Sequence, residues 1–200
     1  MQKIEALNQA LFLTMNATPL TPTWLIRTAS FIANDLIWLI PLALIGMWLT
    51  GGDRRRELAI RSCLVTAIAL GLNQLIGLVW QHPRPFMIGL GHTFLQHAPD
   101  SSFPSDHGTI FAAVTLTLLV GGMKRLGGAA LIVGLAVAWA RVFLGVHFPL
   151  DMLGAVAVVC LIYGVLAPLW TLSGQAVTRL VVSLYRALLA HPIRSGWLRP

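Results

Sequence analysis

Charged side chains are scarce in this chain. Of its 200 residues only 10% are Asp, Glu, Lys or Arg, whereas 56% are hydrophobic and the mean hydropathy is +0.77. Soluble globular domains carry about 25% charged residues, so this composition excludes a soluble protein and indicates an integral membrane protein. Acidic residues are the scarcer kind, which leaves a net charge of +7. The basic residues flank apolar runs, as membrane spans require, so nucleic acid is not expected as a partner.

Cysteine is almost absent too. Cys63 and Cys160 both fall inside apolar runs without metal-ligand spacing, so we predict two small hydrophobic side chains and no disulfide. The N-terminus has no basic region ahead of an apolar core and no small-residue cleavage site, so a cleaved signal peptide is not expected. No internal repeat or low-complexity run divides the chain. We therefore expect one domain over residues 1–200.

Long apolar runs are what the chain does contain. A crossing of the hydrocarbon core takes about 20 residues, and runs of roughly this length predict an all-α, polytopic membrane helix bundle. Five spans are expected, at residues 24–50, 58–80, 107–120, 128–146 and 150–172. The segment 4–17 is too short to cross and is interpreted as an interfacial helix. Its insertion would make six spans.

The basic residues predict the orientation of these spans, because arginine and lysine in short loops stay in the cytoplasm. Most of them lie at residues 54–61, at 124–125 and after the last span, three regions that share one side by span parity. The polar stretch 81–106 and the turn 147–150 then face the periplasm or exterior. The tail, about residues 175–200, alternates Leu and Val with arginine, which predicts a basic amphipathic helix on the anionic inner leaflet.

Three polar clusters interrupt the apolar sequence, and the one at residues 140–151 is the most informative. His147 and Asp151 are four residues apart, a spacing that stacks them if a helix begins near Pro149. A carboxylate on one imidazole nitrogen fixes the tautomer and leaves the other nitrogen as a nucleophile. Arg141 lies six residues before His147, and its guanidinium can grip phosphate oxygens in a bidentate manner. These are the parts of a phosphoryl-transfer site.

The other two clusters, residues 82–85 and 102–107, complete the candidate site. Ser105, Asp106 and His107 precede or open a predicted span, where the free N–H groups and dipole of a helix start favour an anion. Ser105 is expected to bind phosphate, and His107 to protonate a departing oxygen. Arg84 stands between two prolines that stiffen its loop and supplies a second guanidinium. Fixed cations suit the charge on a transferring phosphoryl group, so we expect no metal.

Each residue has a plainer interpretation when it is taken alone. Arg141 would be an anchor reaching the interface, His147 a hydrogen-bonded structural histidine, and Ser105 a helix N-cap. Ionisable side chains at membrane depth nevertheless favour function, and here they fall together on one side. His97 in the polar loop is interpreted as solvent-exposed by default, with a place at the entrance of the site as the alternative. Four polar residues within spans are expected to form hydrogen bonds between helices instead: Asn34, Asp35, Asn73 and Gln74.

Together the three clusters resemble the type-2 phosphatidic acid phosphatase superfamily. The motifs of that superfamily read Lys-x6-Arg-Pro, Pro-Ser-Gly-His and Ser-Arg-x5-His-x3-Asp. Here Arg84 with its following proline, residues 104–107, and Arg141 with His147 and Asp151 match them in order. The resemblance covers about a third of the chain, and the combination of motifs is highly specific.

The resemblance implies a role for each matched residue. His147 would attack the terminal phosphorus to form a phosphohistidine, and Asp151 would orient the ring. His107 would protonate the leaving lipid phosphate and then help to activate water for hydrolysis. The phosphoryl oxygens would be held by Arg84, Ser105 and Arg141.

The chain departs from the superfamily pattern at three positions. Gly77 stands where the first-motif Lys falls, Asp106 replaces the usual Gly, and Ala140 replaces the Ser. Asp106 places a carboxylate beside the phosphate, where it is expected to disfavour simple monoesters or to orient His107. With its short length and its Pro-Ser-Asp-His form, the sequence is most similar to the bacitracin-resistance type of undecaprenyl pyrophosphate phosphatase.

That resemblance implies an outward-facing enzyme of the bacterial inner membrane that hydrolyses undecaprenyl diphosphate to undecaprenyl phosphate and inorganic phosphate. It would need no cofactor, recycle the carrier lipid of cell-wall synthesis and confer resistance to bacitracin. The residues leave open a phosphatidic acid or phosphatidylglycerophosphate phosphatase and a lipid phosphotransferase, because the walls that bind the lipid tail are merely apolar. From other classes, a transporter or metal-binding membrane protein and a purely structural module remain as alternatives.

Overall fold

Helices make up most of the chain in the computed structural model, which describes residues 2–199. No strand occurs within these residues, so the all-α prediction is confirmed. Met1 and Pro200, the two ends of the predicted domain, lie outside the described residues. In chain order the helices are α1 (Gln2–Met15), α2 (Thr23–Asp35), a 3-10 turn (Leu36–Trp38), α3 (Leu39–Thr50), α4 (Asp53–Val79), a 3-10 turn (Pro85–Ile88), α5 (Asp106–Val120), α6 (Lys124–Phe143), α7 (Pro149–Leu188) and α8 (Ala190–Arg194).

Four helical segments are long and apolar enough to cross a membrane, and α5 is a shorter apolar helix beside them. The four are Thr23–Thr50, Asp53–Val79, Lys124–Phe143 and Pro149–Leu188. The outer surface of these segments carries large exposed apolar side chains such as Leu42, Leu78 and Ile132. A soluble protein rarely exposes so much contiguous apolar surface, whereas contact with lipid requires it. The prediction of a multi-pass membrane helix bundle is therefore confirmed with four candidate spans, while a crossing by α5, the expected third span, stays a prediction.

Several predicted boundaries were wrong. α4 begins at Asp53 rather than near residue 58, because its charged first turn is helical and contains an Arg54–Glu57 pair at 3.0 Å, a favourable i,i+3 contact. α6 covers Lys124–Phe143 rather than residues 128–146. α7 does not end near residue 172 but continues to Leu188. Most of the basic tail is thus a continuation of the last span, and the short α8 follows it. At 1.5 Å per residue, the 40 residues of α7 reach about 60 Å, twice the hydrocarbon thickness.

Helix α5 packs against α4, α6 and α7. Its approach to α6 is close because glycines of α6 face bulky side chains of α5. A Cβ on Gly134 would lie 2.9 Å from Cβ of Phe111, and one on Gly127 would lie 2.7 Å from the Leu119 side chain. Small residues permit such approach in lipid, where van der Waals packing drives helix association. Packing on three sides fixes the position of the α5 N-terminus despite its short length.

Helix α1 lies against the beginning of α7 and the end of α6. Phe12 is fully buried and meets Phe148 edge-on, with ring centroids 5.4 Å apart. The Leu150 N–H donates to Oδ1 of Asn8 at 3.1 Å. The predicted helix at the N-terminus is confirmed, while its location at the membrane surface stays a prediction.

The polar residues of the predicted spans behave in two ways. Asn73 and Gln74 donate to a side chain of α5, as predicted. Asn34 and Asp35 are exposed instead and make no side-chain hydrogen bond with residues 2–199, so that prediction was wrong for them. They lie on a side of α2 that no neighbouring helix covers. The free cysteines are on α4 and α7.

Candidate active site

Three segments that are distant in sequence meet around one cavity of about 630 Å³. α4 and α6 end beside it, while α5 and α7 begin there, and the polar loop that follows α4 closes its side. The structure thus brings the three polar clusters together at one end of the bundle. The cavity is lined by five of the seven predicted site residues: Arg84, Asp106, His107, Arg141 and His147.

His147 and Asp151 form the predicted pair at the start of α7. Pro149 occupies the first turn of this helix, a position that suits its fixed φ angle. Nδ1 of His147 lies 3.2 Å from Oδ2 of Asp151, and both side chains are buried. The Phe148 N–H donates to the same oxygen at 2.8 Å. The carboxylate therefore keeps the imidazole proton on Nδ1 and leaves Nε2 as the free nitrogen.

The turn before α7 reverses the chain, so that His147 and Asp151 lie close to the end of α6. Gly145 has φ +86°, a left-handed conformation that glycine adopts without strain. A Cβ at this position would collide with the His92 carbonyl, which passes close by. The Val146 N–H then donates to the Arg141 carbonyl at 3.1 Å. This closed turn explains how His147 and Arg141 come to share a cavity.

The surroundings of His147 keep its ring neutral. Burial lowers the pKa of His147 from 6.5 to about 4, while Asp151 opposes the shift and Arg141 and Arg84 add to it. Nε2 lies 3.1 Å from Nη1 of Arg84 and 3.5 Å from Oγ of Ser105. Because a guanidinium can only donate, Nε2 accepts from Arg84. The free site thus contains a neutral imidazole whose Nε2 carries no proton and is engaged by the Arg84 hydrogen bond. An unprotonated nitrogen is the state a nucleophile needs.

The N-terminus of α5 forms one side of the cavity. Ser105 is fully buried and caps the helix, since its Oγ accepts the Gly108 N–H at 3.3 Å. Its own N–H donates to the carbonyl of Asp151 at 3.2 Å, which joins α5 to α7. Nε2 of His107 lies 3.4 Å from Nη1 of Arg141. A helix start and a guanidinium therefore face the same space, where both favour an oxyanion.

The two site arginines differ in how free their donors are. Arg84 donates to Asp100 at 2.8 Å from Nε, to the Val146 carbonyl at 2.8 Å from Nη1 and to the Ser101 carbonyl at 3.2 Å from Nη2. Arg141 is buried too, but its Nε has no partner within residues 2–199. Arg84 therefore ties the loop to the turn before α7, whereas Arg141 has more capacity for a phosphate. Phosphate binding by either stays a prediction.

Asp106 is placed at the cavity, and its side chain bonds to α4. Its two oxygens accept from Nδ2 of Asn73 at 2.9 Å and from Nε2 of Gln74 at 3.3 Å. That Asp106 orients His107 or disfavours simple monoesters stays a prediction. Its carboxylate connects the first turn of α5 to α4. Gly77, the position of the missing lysine, lies one turn further along α4 and also lines the cavity.

Sequence reasoning missed two residues of this region. Ser102 is fully buried, and its hydroxyl donates to Oδ2 of Asp151 at 2.5 Å. Asp100 pairs with Arg84 from the loop. His97 lines the cavity, which was the alternative to solvent exposure, and burial lowers its pKa. The only signal for Ser102 was its place in the second polar cluster, which did not reveal its partner.

The described part of the chain contains no group of three or more His, Cys, Asp or Glu side chains gathered as metal ligands. The cavity instead combines two guanidiniums with four histidines. This arrangement fits an anionic ligand better than a divalent cation, because fixed guanidiniums attract phosphate and repel a metal ion.

Comparison with known proteins agrees with these features. Residues 58–175 match the PAP2 superfamily. YbjG of Escherichia coli K12, whose name assigns it provisionally as an undecaprenyl-diphosphatase, is 39% identical over 199 residues, which cover 98% of this chain and 99% of that protein. Undecaprenyl-diphosphatase BcrC of Bacillus subtilis 168 is 35% identical over 159 residues, which cover 80% of this chain and 81% of that protein.

Two crystal structures share the helix arrangement. A transmembrane PAP2-type phosphatidylglycerolphosphate phosphatase from Bacillus subtilis superposes with a TM-score of 0.61 at 19% identity, covering 84% of this chain and 87% of that one. LpxE of Aquifex aeolicus superposes with a TM-score of 0.58 at 21% identity, covering 78% and 92%. At these identities the likeness concerns the fold.

Proposed function

The chain belongs to the PAP2 superfamily, and from this membership and the site geometry we propose that it is an undecaprenyl-diphosphate phosphatase. The proposed reaction hydrolyses undecaprenyl diphosphate to undecaprenyl phosphate and inorganic phosphate without a metal ion. It takes place at the outer face of the bacterial inner membrane, recycles the cell-wall carrier lipid and confers bacitracin resistance. The observation that supports the proposed reaction is the buried His147–Asp151 pair. Nε2 of His147 adjoins a cavity that two guanidiniums line. The names of relatives at 35–39% identity support the substrate.

In the first proposed step His147 attacks the terminal phosphorus. A bond forms between Nε2 and phosphorus, and the bond from phosphorus to the bridging oxygen breaks. The electron pair leaves with undecaprenyl phosphate, and His107 is placed to protonate it. Arg141 and the helix start at Ser105 balance the charge on the phosphoryl oxygens, which is the main requirement of phosphoryl transfer. Asp151 retains the Nδ1 proton and stabilises the charge that develops on the ring.

In the second proposed step water attacks the phosphohistidine. His107 accepts a proton from the water, the phosphorus–nitrogen bond breaks, and its electron pair returns to Nε2. In the free site Nε2 of His107 accepts from Arg141 at 3.4 Å, so His107 takes up the proton for the first step when the charged diphosphate enters and engages Arg141. Once that proton has gone to the leaving group, Nε2 is unprotonated again and acts as the general base. Inorganic phosphate leaves, His107 releases the proton it took from water, and the site returns to its starting state.

The lipid tail is proposed to stay in the bilayer while the diphosphate enters the cavity. Leu78 lines the cavity and is 76% exposed, and the next residue, Val79, is 90% exposed. The end of α4 thus carries apolar surface from the lipid-facing side to the polar site. An amphiphile with an apolar chain and a charged end fits this arrangement, since neither part has to leave its preferred solvent.

The proposed orientation is supported by where the basic residues gather. Arg54 donates to the Gly121 carbonyl, Arg56 to the Arg199 carbonyl, and Arg199 to the Thr50 carbonyl. The loops between spans and the tail therefore meet at the end of the bundle opposite to the cavity. Basic residues favour the cytoplasmic side, which supports a site that opens outward.

The decisive experiment is phosphate release by the purified protein in detergent with a metal chelator present. Undecaprenyl diphosphate and phosphatidic acid are compared at equal concentration. We expect release mainly from the isoprenoid diphosphate. A preference for phosphatidic acid would move the function to phospholipid metabolism, loss of activity on chelation would contradict the metal-free proposal, and inactivity on both lipids would overturn it.

The same assay tests the nucleophile. His147→Ala removes the attacking nitrogen, so we expect no detectable turnover and no phosphorylated protein after a single-turnover reaction with labelled substrate. His191→Ala is the matched control, because His191 lies on the exposed α8 at the far end of the chain. Turnover retained by His147→Ala in a folded protein would defeat the proposed nucleophile.

A further inference from the structure

Ser102 lies where the three polar clusters meet. Its N–H donates to the His82 carbonyl at 2.8 Å, and its hydroxyl donates to Oδ2 of Asp151 at 2.5 Å. The same hydroxyl oxygen is 3.4 Å from Nδ1 of His147. The side chain is fully buried. One small residue thus connects the loop after α4, the segment before α5 and the start of α7.

The two oxygens of the Asp151 carboxylate differ in their hydrogen-bond partners. Oδ2 accepts from the Ser102 hydroxyl, from the Phe148 N–H and from Nδ1 of His147. Oδ1 is buried and has no partner within residues 2–199. The rotation of the carboxylate is therefore set by donors on one oxygen only. Without the hydroxyl, a backbone N–H and the imidazole itself would be the remaining donors to it.

We propose that Ser102 is a positioning residue that fixes the Asp151 carboxylate, so that His147 keeps its proton on Nδ1 and presents Nε2 to the phosphate. The proposal rests on the proposed function, because it takes His147 as the nucleophile. Ser102 does not line the cavity, whereas Ser105 caps the helix beside it. Ser102 acts on the reaction through Asp151 and makes no contact with the substrate.

The test compares Ser102→Ala and Ser102→Cys with the wild-type protein. Loss of a partner that orients a functional side chain costs about 10–100-fold in activity, so we expect kcat of Ser102→Ala to fall by that factor with KM little changed. The thiol of Ser102→Cys is a weaker donor of similar size and should recover part of the loss. Ser62→Ala is the matched control, since Ser62 is equally buried but lies on α4 away from the cavity. It should retain wild-type kcat.

A second readout separates positioning from mere support of the fold. The Ser102 hydroxyl neutralises part of the negative charge on Asp151. Without it the carboxylate stabilises the protonated imidazole more strongly, so the pKa of His147 should rise. The acid limb of kcat/KM should move upward by on the order of one pH unit. The other charged or titratable groups around this ring are Arg84 and His97 from the loop, His107 from α5 and Arg141 from α6. None of them is altered in Ser102→Ala.

Two results would overturn the proposal. One is wild-type kcat and an unchanged acid limb in Ser102→Ala. The other is a lower kcat that follows a lower melting temperature, with the acid limb unmoved. His147→Ala is assayed in parallel on undecaprenyl diphosphate and phosphatidic acid, so failure of the proposed function shows as turnover without His147. Inactivity of the wild type on both lipids would overturn both proposals.

Discussion

The chemistry of the site depends on one neutral imidazole in a buried, cationic setting. An ionised ring would have to lose its hydration and lie near Arg84 and Arg141, and only Asp151 favours it. The desolvation cost is the largest of these effects, so the neutral form prevails at neutral pH. A neutral imidazole can thus lie beside the cations that the proposed diphosphate substrate would need. The guanidiniums proposed to bind phosphate add to the desolvation that keeps the histidine unprotonated.

This electrostatic arrangement predicts the acid limb of the pH profile. Protonation of His147 occupies the Nε2 lone pair and stops attack, and its pKa is lowered to about 4. Activity should therefore persist from pH 7 down to about pH 5 and fall only as the pH approaches 4. The measurement is kcat/KM from pH 3.5 to 8 in detergent. An acid limb at pH 6.5, the usual value for histidine, would contradict the buried, neutral ring.

Asp106 offers a second test at the scale of single residues. Its carboxylate accepts two amide donors from α4, and loss of hydrogen bonds to a charged group leaves those donors unpaired, at a cost of about 1–3 kcal/mol. We expect Asp106→Gly, which restores the residue usual in the superfamily, to lower the melting temperature in detergent. Asn73→Ala should act in the same direction.

The functional half of the Asp106 prediction concerns substrate choice. The carboxylate lines the cavity and would repel a dianionic monoester that binds by its phosphate alone. Asp106→Gly should therefore raise turnover of phosphatidic acid relative to undecaprenyl diphosphate. An unchanged ratio of the two rates would restrict Asp106 to a structural role between α4 and α5.

Among the elements, α1 has the least expected role. With 14 residues it is not among the candidate spans, yet Asn16, the residue that follows it, holds the loop that closes the cavity. Nδ2 of Asn16 donates to the carbonyls of His92 at 2.8 Å and Phe143 at 3.0 Å, and its Oδ1 accepts the His92 N–H at 2.7 Å. One side chain thus satisfies three backbone groups in two separate segments. Irregular backbone needs such partners, because its polar groups are not paired internally.

Asn16→Ala should loosen this loop. We expect faster amide hydrogen exchange over residues 90–97, because the fixed partners of the His92 backbone are lost. kcat should fall modestly while the spans keep their protection. Asn34→Ala is the control, since Asn34 is exposed on α2. Equal exchange in both variants would mean that α1 does not hold the loop.

The long α7 has a different role. Its first turn carries His147's partner Asp151, and its distal part contacts the basic end of the bundle, where Trp170 donates to Glu57 at 3.0 Å. Tyr185 meets Trp48 edge-on, with ring centroids 5.4 Å apart. A single helix therefore connects the site with the opposite end. These contacts explain why the tail extends the span rather than forming a separate helix.

For the whole molecule, the charge distribution predicts the topology. The cavity and the basic loops occupy opposite ends, and the basic end should lie in the cytoplasm. With Cys63 and Cys160 replaced by serine, a single cysteine is introduced by Gln96→Cys or by Ser195→Cys, both at exposed positions. A membrane-impermeant maleimide applied to intact cells should label the first and not the second until the cells are permeabilised. The reverse pattern would contradict an outward-facing site.

Local features of the site were open to prediction from sequence. The pairing of His147 with Asp151 follows from a four-residue spacing at a proline-started helix, and the cap at Ser105 follows from its place before α5. Both involve neighbours in the chain, whose geometry the helix itself dictates. The apolar runs likewise predicted the spans, because a membrane crossing needs length and hydropathy more than any particular partner.

What the sequence alone determined is therefore the membrane class, four of the expected spans and the local pairings within the polar clusters. Only the tertiary structure decided that Ser102 contacts Asp151 across 49 positions, that Asp106 is bound by Asn73, and that Arg84 is held by Asp100. Which of these residues meet depends on which faces of the helices pack together. In lipid an apolar face is equally suited to a neighbouring helix or to the bilayer, so hydropathy does not specify the choice, whereas close packing of particular side chains does.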